Sequence, residues 1–179
     1  AVVMSGENEQ AAEETTNTLV TAGQTDSIIA DKFVDTKVDE NGVLRQISFP
    51  EEDKFNFAFD IVDGLAEKKP DATAMIHLDC DKTEHIFTFA DMKRASNQCA
   101  NYFASLGIKR GDRVMLILRR TYQFWFAILG LHKLGAIAIP ATNLLKEHDL
   151  VYRFDAAGVN TIICANDPVL EEEVDKACE

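Results

Sequence analysis

The stretch Gly111 to Pro140, GDRVMLILRRTYQFWFAILGLHKLGAIAIP, constrains the fold more than any other. Val114 to Leu118 is an unbroken apolar run, Tyr122 to Leu134 is apolar on nearly every side, and Ala136 to Pro140 is apolar again. A strand without polar alternation is covered on both faces, as in parallel sheets flanked by helices. Strand, helix, strand in that order predicts a right-handed βαβ crossover. Thr121 is placed to cap the helix by accepting a backbone N–H, and Gly135 to take the left-handed turn past its end. Only Gln123, His132 and Lys133 break the apolar surface, so the helix, Trp125 included, is expected to lie almost wholly inside. A membrane span needs ~20 apolar residues; this helix is shorter and has charged flanks.

A chain of 179 residues can build one domain with a real core, since domains of this size bury roughly 70% of their unfolded surface. The net charge of −12 is uneven: residues 1–54 hold 12 acids and 4 bases, residues 55–179 hold 18 and 14. Nucleic acid is excluded as a partner on this ground, because phosphate binding needs a basic face. Cys80, Cys99, Cys164 and Cys178 have irregular spacing and no C-x-x-C pair, which favours packed thiols in a reducing, cytoplasmic compartment. The opening AVVMSGENEQ lacks the long apolar core of a secretory leader.

Three regions follow from the pattern. Residues 1–31, with Glu7, Glu9, Glu13 and Glu14 and few large apolar side chains, read as an acidic, disordered tail. Residues 32–54 carry scattered anchors, Phe33, Val34, Val43, Leu44, Ile47 and Phe49, around an Asn41-Gly42 turn, and are expected to wrap the domain that follows. Residues 55–179 form an α/β domain, a mainly parallel sheet with helices on both faces. Its first helix carries Phe57, Ala58, Ile61, Val62 and Leu65 and stops before Pro70. Ala72 to Leu78 and His85 to Phe87 read as strands joined by DCDKTE. Thr88 and Asp91 resemble a capping box for a helix with Met92, Ala95, Cys99, Phe103 and Leu106 on one face, ended by Gly107. Leu150, Val151, Phe154 and Ala157 mark a helix ended by Gly158. Thr161 to Ala165 supplies a third strand, and Asp167 with Pro168 opens a last helix.

Candidate sites are few. His77, Cys80 and His85 look like metal ligands, but strand alternation puts His77 on a face with Met75 and Asp79 and turns Cys80 the other way. Among the cations Lys109, Arg110, Arg113, Arg119 and Arg120, a strand rising ~3.3 Å per residue separates the first three from the last two by roughly 20 Å. Ligands of open parallel sheets bind beyond the carboxyl ends of strands. Only Arg119 and Arg120 lie there, so they read either as a phosphate site or as a solvated pair. The loop ATNLLKEH after Pro140 leaves the same edge, with Leu144 and Leu145 packed under a neighbour or lining a cavity; Tyr152 and Arg153 after it read as structural. No G-x-G-x-x-G, G-x-x-x-x-G-K-[ST] or G-x-S-x-G occurs. These residues can build a sheet with a binding edge, but hold no catalytic set.

The order of pieces resembles the opening region of adenylate-forming enzymes, in the acyl-CoA synthetase branch. The family pattern is an aromatic residue opening a helix, then L-G-hydrophobic-x-x-G-D-x-V, an apolar strand, an apolar helix ending in G-A, and a strand ending in proline. Here these are Phe89, Leu106-Gly107-Ile108, Gly111-Asp112-Arg113-Val114, Gly135-Ala136 and Pro140. FNFAFDIVD at Phe55 to Asp63 and PATNLL at Pro140 to Leu145 are similar to the acetyl and medium-chain synthetases.

The resemblance implies a parent ligase that activates a short- to medium-chain fatty acid with ATP and Mg²⁺ to acyl-AMP and transfers it to coenzyme A. This chain would be the N-terminal portion of its large domain, with the remainder of the synthetase as partner. The family's phosphate loop and catalytic lysine have no match here, so the chain alone is expected to be inactive. Arg119, Arg120, Thr142 and Leu144 are then expected on the wall of the cofactor channel, with no catalytic residue and no metal ligand. Many relatives carry asparagine and proline at Arg119-Arg120, and the medium-chain branch a glutamine at Leu144. Two rival expectations are a free-standing, flavodoxin-like phosphate-binding module and an interaction protein acting through its acidic tail.

Overall fold

The computed structural model describes residues 33–178, so the acidic segment 1–31 lies outside the described residues. The chain divides into two units, Ala1–Phe55 and Asn56–Glu179. The first holds a hairpin of β1 (Asp35–Val38) and β2 (Leu44–Ser48), paired antiparallel. Asp39 closes its turn: Oδ1 accepts the N–H groups of Asn41 and Val43, each at 2.9 Å, and Gly42 takes the left-handed backbone the turn requires. Phe33 and Phe55 meet edge to face at 4.9 Å, while Val43, Leu44, Ile47 and Phe49 are exposed.

The second unit begins with α1, which is π-helical over Phe57–Asp63 and α-helical over Gly64–Lys68. Asn56 fixes both ends of a contact: its Oδ1 accepts Ala58 N–H, and its Nδ2 donates to the His132 carbonyl at 2.7 Å. β3 (Thr73–Leu78) and β4 (Glu84–Thr88) form an antiparallel hairpin with Met75 opposite Phe87 and His77 opposite His85. Its inner face packs Met75 and Phe87 against Ala58, Val62, Met92 and Leu129. α2 (Phe89–Ser105) starts with the expected capping box between Thr88 and Asp91. Leu106, expected on its apolar face, is exposed; Gly107 turns the chain left-handed and Ile108 takes the buried place instead.

β5 (Arg113–Ile117), α3 (Gln123–Leu134), β6 (Ile137–Pro140), α4 (Glu147–Ala157), β7 (Thr161–Cys164) and α5 (Pro168–Cys178) complete the unit. The sheet order is β6-β5-β7 and both pairings are parallel. Val114 to Ile117 have no exposed surface, the burial that the apolar run demands. Alternate side chains serve opposite layers. Val114 and Leu116 pack with Phe103, Ala127 and Leu131 of α2 and α3, whereas Met115 and Ile117 pack with Leu145, Leu150, Leu170 and Val174 on the α4 and α5 side. The chain crosses from β5 to β6 and then back past β5 to β7, so right-handed crossovers put helices on both faces.

Four more expectations for this unit change. β6 is an edge strand, so Ile137 and Pro140 are exposed rather than dry. Thr121 does not cap α3; its hydroxyl donates to the Leu118 carbonyl at 2.9 Å, and Tyr122 stands at the cap position without a side-chain bond. Nor is α3 wholly inside: Gln123 and Trp125 are exposed, Trp125 by 51%. The first turn of a helix that follows a parallel strand stands beyond the carboxyl edge of the sheet, where no layer covers its outer side. Lys133, read as a polar interruption, is buried instead and paired with Asp63. Gly130 lets α2 and α3 touch backbone to backbone: a Cβ there would sit 2.8 Å from Cys99 Cβ and 3.0 Å from Ala100 N. Gly135 is left-handed as expected.

Among the described residues no helix is long and apolar enough to cross a membrane. The four cysteines are free thiols. Burial raises the thiol pKa of Cys99 and, joined by Glu171 and Asp175, that of Cys164, so both are poor nucleophiles.

Candidate functional site

The carboxyl ends of β5 and β7 are where the strand order reverses, the position at which open α/β sheets hold ligands. Two cavities flank this edge. The first, about 320 Å³, is lined by His77, Arg119, Arg120, Thr121, Phe124 and Trp125. Arg119 has a left-handed backbone, φ +56°, unusual for a residue with a side chain, and its guanidinium pairs with Asp167 across the reversal point. Among the described residues, Arg120 has no hydrogen bond or ion pair. The hairpin closes the other side. Asp79 bridges both imidazoles: Oδ1 lies 3.1 Å from His77 Nε2 and Oδ2 2.7 Å from His85 Nε2. The Tyr122 ring packs on His77, His85, Phe87 and Phe126 at 5.0–5.7 Å between centroids.

The second cavity, about 350 Å³, lies on the β6 side between Met115, Ile139, Pro140, Thr142, Leu145, Tyr152 and Arg153. Thr142 Oγ1 accepts the Leu144 N–H at 3.3 Å, which folds the loop back on itself. That turn separates the two leucines: Leu145 is buried in the α4 layer and Leu144 is 77% exposed. Tyr152 and Arg153, read from sequence as structural, are exposed and form part of the cavity wall. Lys146 and Glu147 are held from α5, where Glu173 accepts the Lys146 ammonium at 3.0 Å and the Glu147 N–H at 2.9 Å. Those two bonds, the backbone N–H first, keep the Glu173 carboxyl below its usual range.

So of the four expected wall residues, Arg119 and Arg120 share one cavity, Thr142 lines another, and Leu144 projects from the loop between β6 and α4. Lys109, Arg110 and Arg113 are at the opposite end of the sheet and do structural work there. The Arg110 side chain lies over Gly135 and that of Arg113 over Gly158, so a Cβ at either glycine would press on an arginine, at 3.1 and 3.3 Å. Asp112 clasps this end: Oδ2 accepts the Lys109 N–H at 2.8 Å and Oδ1 an Asn160 N–H at 3.1 Å. The Lys109 bond chiefly holds the Asp112 carboxyl below the ordinary range. His77 and His85 share a face, as alternation requires, and Cys80 is in the exposed turn away from them. Among the described residues no group of three or more His, Cys, Asp or Glu side chains could hold a metal ion.

The aromatic lining of the first cavity escaped the sequence. Phe124 and Trp125 read as core because they sit in an apolar helix, and nothing local brings His77 beside Arg119.

Residues 62–179 match the family of AMP-binding enzymes. The chain belongs to that family. It is 33% identical over 125 residues to acyl-coenzyme A synthetase ACSM2A, mitochondrial, of Homo sapiens, covering 66% of this chain and 22% of that protein. It is 44% identical over 101 residues to a crotonobetaine/carnitine–CoA ligase of Salmonella paratyphi A, covering 56% and 20%. Among solved structures it is similar to the acyl-CoA synthetase of Brucella canis, with a TM-score of 0.62 at 25% identity over 68% of this chain and 22% of that one. A fatty acyl CoA synthetase of Mycobacterium tuberculosis gives 0.58 at 27% identity over 65% and 23%. The chain thus spans about a fifth of the length of the curated relatives it matches. The doubly wound unit is that of the N-terminal domains of adenylate-forming enzymes.

Proposed function

We propose that this chain is the N-terminal portion of an acid–thiol ligase that uses ATP and Mg²⁺ to activate a short- to medium-chain fatty acid as acyl-AMP and then transfers the acyl group to coenzyme A. The observation that carries the reading is the cavity at the β6 end, bounded by Pro140, Thr142 and Arg153, in a chain whose relatives are named acyl-CoA synthetases and a CoA ligase. Apolar walls with a hydroxyl and a guanidinium at the rim fit the arm of an acyl or pantetheine group better than a bare nucleotide. Thr142 and exposed Leu144 are then one wall of the channel. Coenzyme A would supply the accepting thiol. In this reading ATP and its metal are held by the remainder of the synthetase.

In this reading the chain contributes scaffold and wall, segment 32–54 wraps the large domain, and the chain alone is silent. Free thiols call for a reducing compartment; the cytoplasmic expectation stands beside relatives whose names say mitochondrial. ATP–pyrophosphate exchange with acetate through octanoate tests the proposal, on this chain and on the chain continued to its relatives' length. Exchange only in the longer protein is expected; exchange by this chain alone would overturn its silence, and none in either would overturn the ligase reading. A free-standing nucleotide module draws on the strand order β6-β5-β7, which flavodoxin-like sheets share. A nucleotide retained by the purified chain in native mass spectrometry would favour it.

A further inference from the structure

One wall of the cavity beside β6 is loop. Ala141 to Lys146 carry the chain from β6 to α4, and Thr142 and Leu145 of this stretch line the space. The sheet fixes the root of the loop, since Ala141 donates its N–H to the Leu116 carbonyl of β5 at 2.9 Å. Leu145 is buried with Leu150, Leu170 and Val174 and holds the far part down. The bond between Thr142 and Leu144 is local, so it does not set their distance from Tyr152 and Arg153, which line the same cavity. The exit of the loop is fixed from elsewhere. Glu147 is the first residue of α4, and the N–H groups of a helix's first turn have no partner within the helix. The Glu147 N–H goes to Glu173 Oε2 on α5 at 2.9 Å, while Oε1 takes the Lys146 ammonium at 3.0 Å. A side chain of another helix, 26 residues away, thus takes the place of an N-cap, and its charge suits the positive end of α4. Asp149 turns the Lys146 N–H back into α4 at 3.3 Å, so both residues move with that helix. As a source of stability the contact is weak. Buried leucines and Val174 already join α4 to α5, and an ion pair whose Lys146 side chain is 56% exposed adds little. What the carboxylate adds is position, because it binds the backbone where loop becomes helix.

We infer that Glu173 is the positioning residue of this wall: held to α4 at Glu147, it sets where Thr142 stands, and so how tightly the ligase holds the arm, acyl or pantetheine, that enters the cavity. The inference rests on the ligase reading for the identity of the arm, and on the contacts alone for the position of the wall. Glu173 does not itself line the cavity. It acts through the loop, so its loss should weaken the grip on one substrate and leave the others as they were.

Two measurements test it. In this chain, hydrogen exchange at the amides of Leu144 and Glu147 should be at least about tenfold faster in Glu173→Ala than in the parent, with Val114 to Ile117 unchanged. Glu173→Gln, whose amide oxygen still accepts the Glu147 N–H, should return most of the protection. In the chain continued to its relatives' length, KM for the fatty acid or for coenzyme A should rise about tenfold in Glu173→Ala, short of the roughly hundredfold that a 1 Å misplacement can cost. Glu173→Gln should bring it most of the way back. KM for ATP and kcat should hold, whereas a protein that had merely lost stability would lose active molecules, and kcat with them. Unchanged exchange in Glu173→Ala, unchanged KM for both arm-bearing substrates in an active enzyme, or a KM for ATP that rises with them would each overturn the inference. Inactivity of the unsubstituted longer protein would count against the ligase reading instead, and hydrogen exchange would then decide the position of the wall.

Discussion

Replacing Lys133 by methionine should cost the fold about 3–5 kcal/mol, the range found when one partner of a buried ion pair is removed. The Lys133 side chain is 3% exposed and that of Asp63 12%. The ammonium donates to both Asp63 oxygens, at 2.8 and 2.9 Å, and to Asn97 Oδ1 at 2.7 Å, and lies 5.6 Å from the centre of the Phe59 ring. It therefore pins α1 and α2 to α3. Methionine keeps the packing of the stem but leaves the Asp63 carboxylate buried with its cation gone. Against a total stability of about 5–15 kcal/mol, that is a large fraction, and at about 2–4 °C per kcal/mol the midpoint should fall by roughly 6–20 °C. The reasoning makes a sharper demand on the pair. Because the cost is a stranded charge and not a lost attraction, Lys133→Met combined with Asp63→Leu should return to within about 1–2 kcal/mol of the parent. Urea unfolding followed by far-UV circular dichroism measures all of this. A single Lys133→Met loss below about 1 kcal/mol, or a double variant worse than either single one, would refute the stranded-charge argument.

Two further outcomes follow from the same faces of α3. Gly130→Ala should destabilise the fold by about 1–3 kcal/mol in urea unfolding, even though alanine favours a helix by about 1 kcal/mol, because two of the atoms its Cβ would meet, Ala100 N and Ser96 O, are backbone; a stabilised variant would show that the helices part freely. His132 is half-buried with Nδ1 unpartnered, and burial lowers its pKa below the ordinary 6.5. The unfolded chain then takes up a proton at that site which the folded one refuses, so stability falls as pH drops below about 6.5; denaturant midpoints from pH 7.5 to 5.5 should slope less in His132→Leu than in the parent, and an unchanged slope would remove His132 as the cause.

The layering was legible wherever burial itself writes the pattern. An unbroken apolar run leaves β5 no option but the middle of a sheet, and the Thr88–Asp91 spacing, Gly107, Gly135 and Gly158 mark helix ends through local chemistry that needs no partner. What stayed hidden depends on residues far apart in the chain. Lys133 looks like a surface residue until Asp63, seventy positions earlier, is brought beneath it. Trp125 looks like core because apolar composition says that a side chain can be buried, not that a layer exists to cover it. Likewise the Gly111-Asp112 pair reads as a family mark, and its role as a clasp appears only once Asn160 comes within reach.

The sheet stops at β6 on one side and β7 on the other, and among the described residues no further strand joins either. Each outer strand turns a row of amides and carbonyls away from β5, ready to zip an extended segment alongside at about 4.8 Å. The two margins are not equal templates. β6 closes on Pro140, which has no amide hydrogen to give, while each amide that Thr161–Cys164 turns away from β5 has one. The molecule is thus handed: chemistry lets it lengthen more readily beside β7.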